Sequence, residues 1–322
     1  MGQTAVLAVD VGGTKIAAGL VGGDGVVSRH TETPTPATEL QLSEALRALL
    51  ASVVEGVAPS AVGVASAGPL DMDRGTVSPV NIPAWRDFPL VDLVSGIVPG
   101  VPVTLVGDGI AAAVGEHWRG VGRGAASMLG IVVSTGIGGG LVLNGAPYPG
   151  PSGNAGHIGH TVVDPAGPLC SCGATGCVEA YASGPSMVRW AQRHGWTGAD
   201  TRVLAADAGR GNAIALAAFD QGTQALARGI IATATVCDLD RVVIGGGVSA
   251  AGDVLFAPLR RHLRRLATLN FVQRITVHPS MLGRQAGLLG AARSALRASQ
   301  NLATGEDPTR DGDHVAVQAA GQ

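Results

Sequence analysis

Residues 156–179 read GHIGHTVVDPAGPLCSCGATGCVE, and three of the four cysteines in the chain fall within eight residues of this stretch. The spacing runs His160, nine residues, Cys170, one residue, Cys172, four residues, Cys177. One imidazole and three thiolates make the four-coordinate set that a closed structural zinc site wants. Gly167, Pro168, Gly173 and Gly176 let so short a segment fold tightly round an ion. The alternatives are core cysteines with a chance neighbour, or a redox pair, but Cys-Ser-Cys lacks the two-residue spacer of the redox motif. A zinc knot is a scaffold, so the function lies in what it positions.

The chain has 322 residues, 46% hydrophobic and 14% charged, enough for two globular domains with cores. Its 49 glycines follow no collagen period and imply many tight turns and close backbone approaches. A net charge of -2 gives no electrostatic footprint for nucleic acid or an anionic membrane. MGQTAVLAVDVGGTK shows no basic region followed by a long apolar run, and residues 125–156 are broken by Gly, Pro, Ser and Asn, so neither a leader nor a membrane helix is expected. A thiolate set needs a reducing compartment, and the expectation is a cytoplasmic protein working on a small molecule.

Outward from the cysteines, apolar runs alternate with helical patterns, the mark of an α/β fold. AVLAVDV (5–11) reads as a strand ending at Asp10, then Gly12-Gly13-Thr14-Lys15, then a hairpin through IAAGLVGG and GVVSRHTE. A helix is expected over 40–57, and SAVGVASAGP returns as a strand turning at Gly68. Residues 71–88 read as loop and 101–106 as a strand. Asp108 then opens an alanine-rich helix to about Trp118, which puts its carboxylate at a strand end and helix start, where α/β folds place their clefts. Beyond Gly120-Val-Gly-Arg-Gly, the strand SMLGIVV, the loop STGIGGG (134–140) and the strand LVLNG repeat the strand, glycine turn, strand pattern. Residues 179–194 and 213–237 read as helices, RVVIGGGVS as a strand with a third turn at Gly245-Gly246-Gly247, 251–269 as a basic amphipathic helix, and ITVHP as a strand. The expected division is an N-terminal domain over 1–118, closed by a helix at 286–298, a related C-terminal domain over 119–285 that holds the 156–179 segment, and a disordered tail over 300–322.

Glycines at a strand exit let backbone N–H groups approach phosphate oxygens, and Thr14 or Thr135 adds a hydroxyl. Neither loop matches G-x-x-x-x-G-K-[ST] or G-x-G-x-x-G, and either alone reads equally well as a tight turn. Three such turns after three strands read as a nucleotide cleft, the first two for phosphates and the third for the adenosine side.

DVGGTK, STGIGGG, Gly159-His160 with CSCGATGC, and VVIGGGVS together resemble the ROK family of sugar kinases, from Val6 to about Leu296. The resemblance implies two duplicated actin-like (ribonuclease H-like) α/β domains, with ATP and Mg2+ in the cleft between them and structural Zn2+ on His160, Cys170, Cys172 and Cys177. It implies Asp108 as the base for a hexose whose 6-hydroxyl attacks the γ-phosphate, and Asp10 acting on magnesium through water. ATP contacts are implied at Asp10, Gly12, Gly13, Thr14, Lys15, Ser134, Thr135, Gly136, Gly138, Gly139, Gly245, Gly246 and Gly247. Sugar contacts are implied at Gly68, Asn81, Asp108, His157, His160 and Glu179, and a homodimer is the family's habit. Asp10 reads alternatively as a turn cap, and Glu179 as a carboxylate at a helix start.

Two departures bear on the sugar. Most of the family has glutamate at position 157, whereas HIGH here is similar to bacterial N-acetylmannosamine kinases within it, which moves the expected substrate from glucose toward an N-acylmannosamine. A histidine there is expected to offer the sugar a donor as well as an acceptor. The family's asparagines before the aspartate and two residues after it are Gly107 and Ile110 in this chain, so a sugar-binding amide is missing. Family members that repress transcription carry a DNA-binding region ahead of the first loop; here that loop starts at Asp10, and an enzyme is expected rather than a repressor or a sugar sensor.

Overall fold

The computed structural model describes residues 5–79, 85–304 and 316–318, with 302–304 and 316–318 described by backbone alone. β1 (Ala5–Val11), β2 (Lys15–Gly22) and β3 (Val27–Pro34) run antiparallel; α1 (Glu39–Val54) follows, and β4 (Ala61–Ser66) returns parallel to β1. A short hairpin of β5 (Leu70–Asp71) and β6 (Thr76–Val77) and helix α2 (Leu90–Ile97) lead to β7 (Val103–Gly107), parallel to β4, and to α3 (Asp108–Arg119). The second half begins with β8 (Met128–Val133), β9 (Ile137–Leu143) and β10 (Ala146–Tyr148). It continues through α4 (Val178–Ala182), α5 (Gly184–Arg193), α6 (Thr201–Gly209), α7 (Ala213–Cys237), β11 (Arg241–Gly245), α8 (Asp253–Leu266), α9 (Asn270–Gln273) and β12 (Thr276–Pro279). The chain then returns to the first half as α10 (Ala286–Thr304) and β13 (Ala316–Gln318).

The strand orders are β13-β7-β4-β1-β2-β3 and β10-β9-β8-β11-β12. Setting β13 aside, the two sheets match strand for strand: an antiparallel hairpin (β1/β2, β8/β9), then two parallel neighbours (β4 and β7, β11 and β12). That repeated order is the duplicated actin-like α/β architecture. The central strands are long apolar runs because both faces are covered; Val6, Leu7, Ala8 and Val9 are all fully buried. α1 starts where Thr38 accepts the Gln41 N–H, and its Leu42, Leu46, Leu49, Leu50 and Val53 stripe fills the first core.

α10 covers the face of the first sheet that α1 leaves open, packing Leu288, Leu289, Ala291, Ala292 and Ala295 against Val6, Ala8, Ala61 and Ala65. It also crosses α3 at backbone distance: a Cβ on Gly115 would meet the Ala286 carbonyl, and one on Gly290 the Ala111 carbonyl. A larger residue at either position would wedge the two helices apart.

Several elements differ from the sequence reading. The 71–88 loop contains the β5/β6 hairpin, and α2 and α6 form where no helix was expected. The 179–194 helix is two helices, because Pro185 sits at the start of α5 and supplies no N–H to continue α4. The 251–269 helix ends at Leu266, with α9 after it. The last helix runs past its expected end at 298, since Ala298 to Thr304 carry no helix breaker and extend α10, and 316–318 pair antiparallel with the open edge of β7, Ala316 facing Leu105.

Candidate active site

The parallel strands β1, β4 and β7 end together, and register places Asp10 opposite Ala65 and Ser66 opposite Gly107. Asp10, Gly68 and Asp108 therefore gather at one edge of the first sheet, the place where open parallel sheets bind ligands. Asp108 begins α3, and its Oδ1 accepts the Gly109 N–H at 2.7 Å. The carboxylate opens to solvent at the mouth of the cleft, while the protein around it limits hydration and raises its pKa, with the Gly109 N–H, and His157 when its ring is charged, opposing. Asp10 is half-buried, and burial, followed by the neighbouring Asp108 charge, pushes its carboxyl up to about 7, with Lys15 pulling the other way. Lys15 itself is paired with Glu32 at 2.6 Å. Two repelling carboxylates at one strand edge favour a cation between them, and Asp10 is a side chain that could hold one.

Across the cleft lies the second glycine loop. Ser134 N–H donates to the Gly136 carbonyl, and a Cβ on Gly138 would stand 3.8 Å from Asp108 Oδ1. The start of α3 meets β9 backbone to backbone, because a Cβ on Gly109 would lie 2.5 Å from Gly139 N, so Asp108 is held against this loop by the absence of side chains. The third turn lies alongside: Gly246 has φ +87° and packs on Val133, and a Cβ on Gly247 would be 3.8 Å from Ser134 Oγ. In the first loop, Gly12 N–H donates to Lys15 O at 3.0 Å and Thr35 donates to Gly12 O at 2.6 Å. Glycine backbones on both walls are the kind of surface that could take phosphate oxygens. Gly287, in the first turn of α10, was missed by sequence reasoning; a Cβ there would lie 2.5 Å from Asp10 Oδ2, and a lone glycine in a helix gives no sign of it.

The cysteine segment forms a cluster. The ligand atoms of His160, Cys170, Cys172 and Cys177 all lie within 4.8 Å of one another. Cys172 and Cys177 Sγ are 3.7 Å apart, as are Cys170 Sγ and His160 Nδ1. Tetrahedral zinc with Zn–S near 2.3 Å needs about 3.7 Å between ligand atoms. Burial and the neighbouring Cys172 thiol raise the Cys177 pKa, so three thiolates in this space require a cation. The donor set thus fits Zn2+.

Glu179 reaches both ways. Its Oε2 accepts the Ile137 N–H of the second loop at 2.7 Å, and its Oε1 accepts the Ser171 hydroxyl, between two of the cysteines, at 3.1 Å. His157 stands exposed, its ring stacked 6.2 Å from that of His160. Its Nδ1 lies 2.8 Å from the Asn154 carbonyl, which only accepts, so Nδ1 carries the proton and the neutral ring offers Nε2 as an acceptor. The donor expected from sequence is spent on the protein. Ile110 is buried and its side chain lies near Gly107, so neither position supplies an amide there. Asn81 lies outside the described residues. Among the described residues no helix is long and apolar enough to cross a membrane.

Residues 6–298 match the ROK family. N-acetylmannosamine kinase of Shigella flexneri is 39% identical over 290 residues, spanning 89% of this chain and 97% of that protein. A ROK family glucokinase from Streptomyces griseus, solved with glucose and AMPPNP, superposes with a TM-score of 0.81 at 35% identity, covering 91% of this chain and 99% of its own. ROK hexokinase from Thermus thermophilus superposes with a TM-score of 0.80 at 35% identity, covering 92% and 99%. With its paired glycine loops, its strand-end aspartates and its His-Cys cluster in one fold, the chain belongs to the ROK family.

Proposed function

We propose that this protein transfers the γ-phosphate of ATP to the 6-hydroxyl of N-acetyl-D-mannosamine. The observation that carries the chemistry is Asp108, a carboxylate of raised pKa open to the cleft and held against the Gly138 loop. The sugar oxygen attacks the γ-phosphorus, its proton passes to Asp108, and the bond to the ADP oxygen breaks with its electron pair leaving on ADP. The glycine turns at 12–14 and 134–136 would line the phosphates with backbone while the sugar is oriented. Mg2+, when bound, neutralises phosphate charge, and Asp10 is the side chain that would hold it through water. Zn2+ on His160, Cys170, Cys172 and Cys177 would be structural, since four protein ligands leave no open position.

The sugar reading rests on His157. Glutamate at this position would add a third carboxylate near Asp108 and Glu179; neutral imidazole accepts through Nε2 without that charge and offers a flat face to an acetamido methyl. The names of the relatives at 39% identity point the same way. A glucokinase is the second reading, favoured by the glucose-bound Streptomyces griseus enzyme at 35% identity. Coupled ATP assays across N-acetylmannosamine, N-acetylglucosamine and glucose decide between them. The expected result is highest kcat/KM for N-acetylmannosamine, with His157→Glu moving the ratio toward glucose roughly five- to hundredfold, the effect of one altered pocket hydrogen bond. A preference for glucose in the wild type, or an unmoved ratio in the variant, overturns the assignment.

A further inference from the structure

Asn154 lies in the segment that carries the chain from β10 to His157, and its side chain reaches the other half of the molecule. Its Oδ1 accepts the Leu70 N–H at 3.0 Å, and its Nδ2 donates to the Leu70 carbonyl at 3.0 Å and to the Ser152 carbonyl at 2.8 Å. Both amide protons and the oxygen are thereby used. Leu70 belongs to β5, just past Gly68 on the first half; Asn154 belongs to the second. One residue thus bridges the two halves, through the donor and acceptor of a single backbone position. The same residue's carbonyl accepts from His157 Nδ1 at 2.8 Å.

We propose that Asn154 is a positioning residue for sugar recognition, fastening the His157 loop to Leu70 across the cleft and fixing the imidazole so that Nε2 faces the substrate as an acceptor. The inference rests on the sugar-kinase reading and names what holds its specificity side in place.

Three further contacts make the bridge specific. A Cβ on Gly68 would lie 3.6 Å from Asn154 Oδ1, so the amide also backs the turn expected to contact the sugar. The Leu70 side chain lies 3.8 Å from where Gly107 would carry a Cβ, so the strand that Asn154 grips abuts the residue preceding Asp108. Gly153, at φ +76°, brings the loop onto Met72, where a side chain would collide. Leu70 is buried, so its N–H and C=O need partners, and an amide matches them where other side chains do not. Aspartate has the same shape but sets an oxygen against the Leu70 carbonyl; alanine leaves both groups unpaired; glutamine is a methylene too long.

The loop's order costs nothing at the moment of binding if the bridge has already supplied it, so its loss shows in sugar affinity ahead of the chemical step. In the full-length protein, Asn154→Ala and Asn154→Asp are expected to raise the KM for the preferred sugar about tenfold, the effect of losing one or two neutral hydrogen bonds, while kcat and the KM for ATP stay within about twofold. Because Asn154 acts through His157, the sugar effect is expected to shrink to about twofold or less in a His157→Ala background, a coupling that a merely structural residue does not produce. Hydrogen exchange at the Leu70 amide is expected to quicken in Asn154→Ala, whatever the substrate turns out to be. Equal rises in both KM values, additive losses in the double variant, or unchanged exchange at Leu70 overturn the proposal. A wild type that phosphorylates no sugar overturns the kinase reading instead, and the Leu70 exchange still judges the bridge.

Discussion

The two glycine hairpin loops occupy the same place in sheets of the same strand order, yet they carry different chemistry. DVGGTK begins on a carboxylate pushed up to about 7, faces a second carboxylate at Asp108, and is steadied by Thr35 and by the Lys15–Glu32 pair. STGIGGG begins on a hydroxyl and is steadied by Glu179, whose other oxygen is tied to the cysteine segment. The strands and the glycines repeat, whereas the charges do not. One wall of the cleft carries two carboxylates, whereas on the other the Glu179 carboxylate is already spent on the Ile137 N–H and the Ser171 hydroxyl, so two loops of one backbone pattern differ in charge.

The sharpest way to break that asymmetry is to remove the charge that faces the opposite loop. Asp108→Asn keeps the shape and the Gly109 contact, and is expected to lower kcat by roughly two to four orders of magnitude with the melting temperature little changed. Near-normal turnover in a steady-state assay would place the base elsewhere. The brace on the other wall comes next. Cys177→Ala is expected to drop bound zinc from one per chain to a small fraction by elemental analysis. If the broken site costs about 3 kcal/mol, the melting midpoint falls by roughly 5 °C. Faster hydrogen exchange should follow in the 134–140 loop and not in the 10–15 loop; a metal-free wild type with native stability would refute the assignment.

The last effect is a pH dependence carried by the carboxylates of the first half. Asp10 has a folded pKa of about 7, above its unfolded value near 3.9, so the folded protein holds a proton that the unfolded chain releases. The stability this contributes is full below about pH 4 and is lost as pH rises through about 7, and Asp108 acts in the same direction. Denaturant unfolding between pH 4 and 8 is expected to show that decline in metal-free, nucleotide-free protein, and Asp10→Asn should flatten it. A decline of the same size in Asp10→Asn would assign it to other groups.

The elements that announced themselves in sequence were those whose pattern is local. The β1 and β8 runs, the three glycine turns and the cysteine spacing read directly, because buried parallel strands are continuous apolar runs and metal ligands cluster in sequence. Asp108 was legible from a strand followed at once by an alanine-rich helix. What sequence hid was set by contacts between distant residues. Gly287 matters because of Asp10, and Asn154 because of Leu70, 84 positions away. The proton on His157 is decided by a carbonyl that no motif marks. Helix α2 was missed because a segment rich in valine, with Pro89 before it and Pro99 after it, reads as extended chain until tertiary packing buries Leu90, Val91 and Val94. The division of 179–194 was visible in Pro185, but the apolar period ran through it.

The return of α10 has a consequence for the order in which the protein matures on the ribosome. One face of the first sheet, including Val6, Ala8, Ala61 and Ala65, is covered by side chains that lie between Leu288 and Ala295. Until those residues emerge, the earliest-made strands keep an uncovered apolar face. The second half meets no such delay, since its cluster from Leu129 to Val277 is complete by the end of β12. A nascent chain is therefore expected to close the α10 face of its N-terminal sheet last, after the later-made half has packed, and to leave that face open to wrong partners for most of the time that synthesis takes.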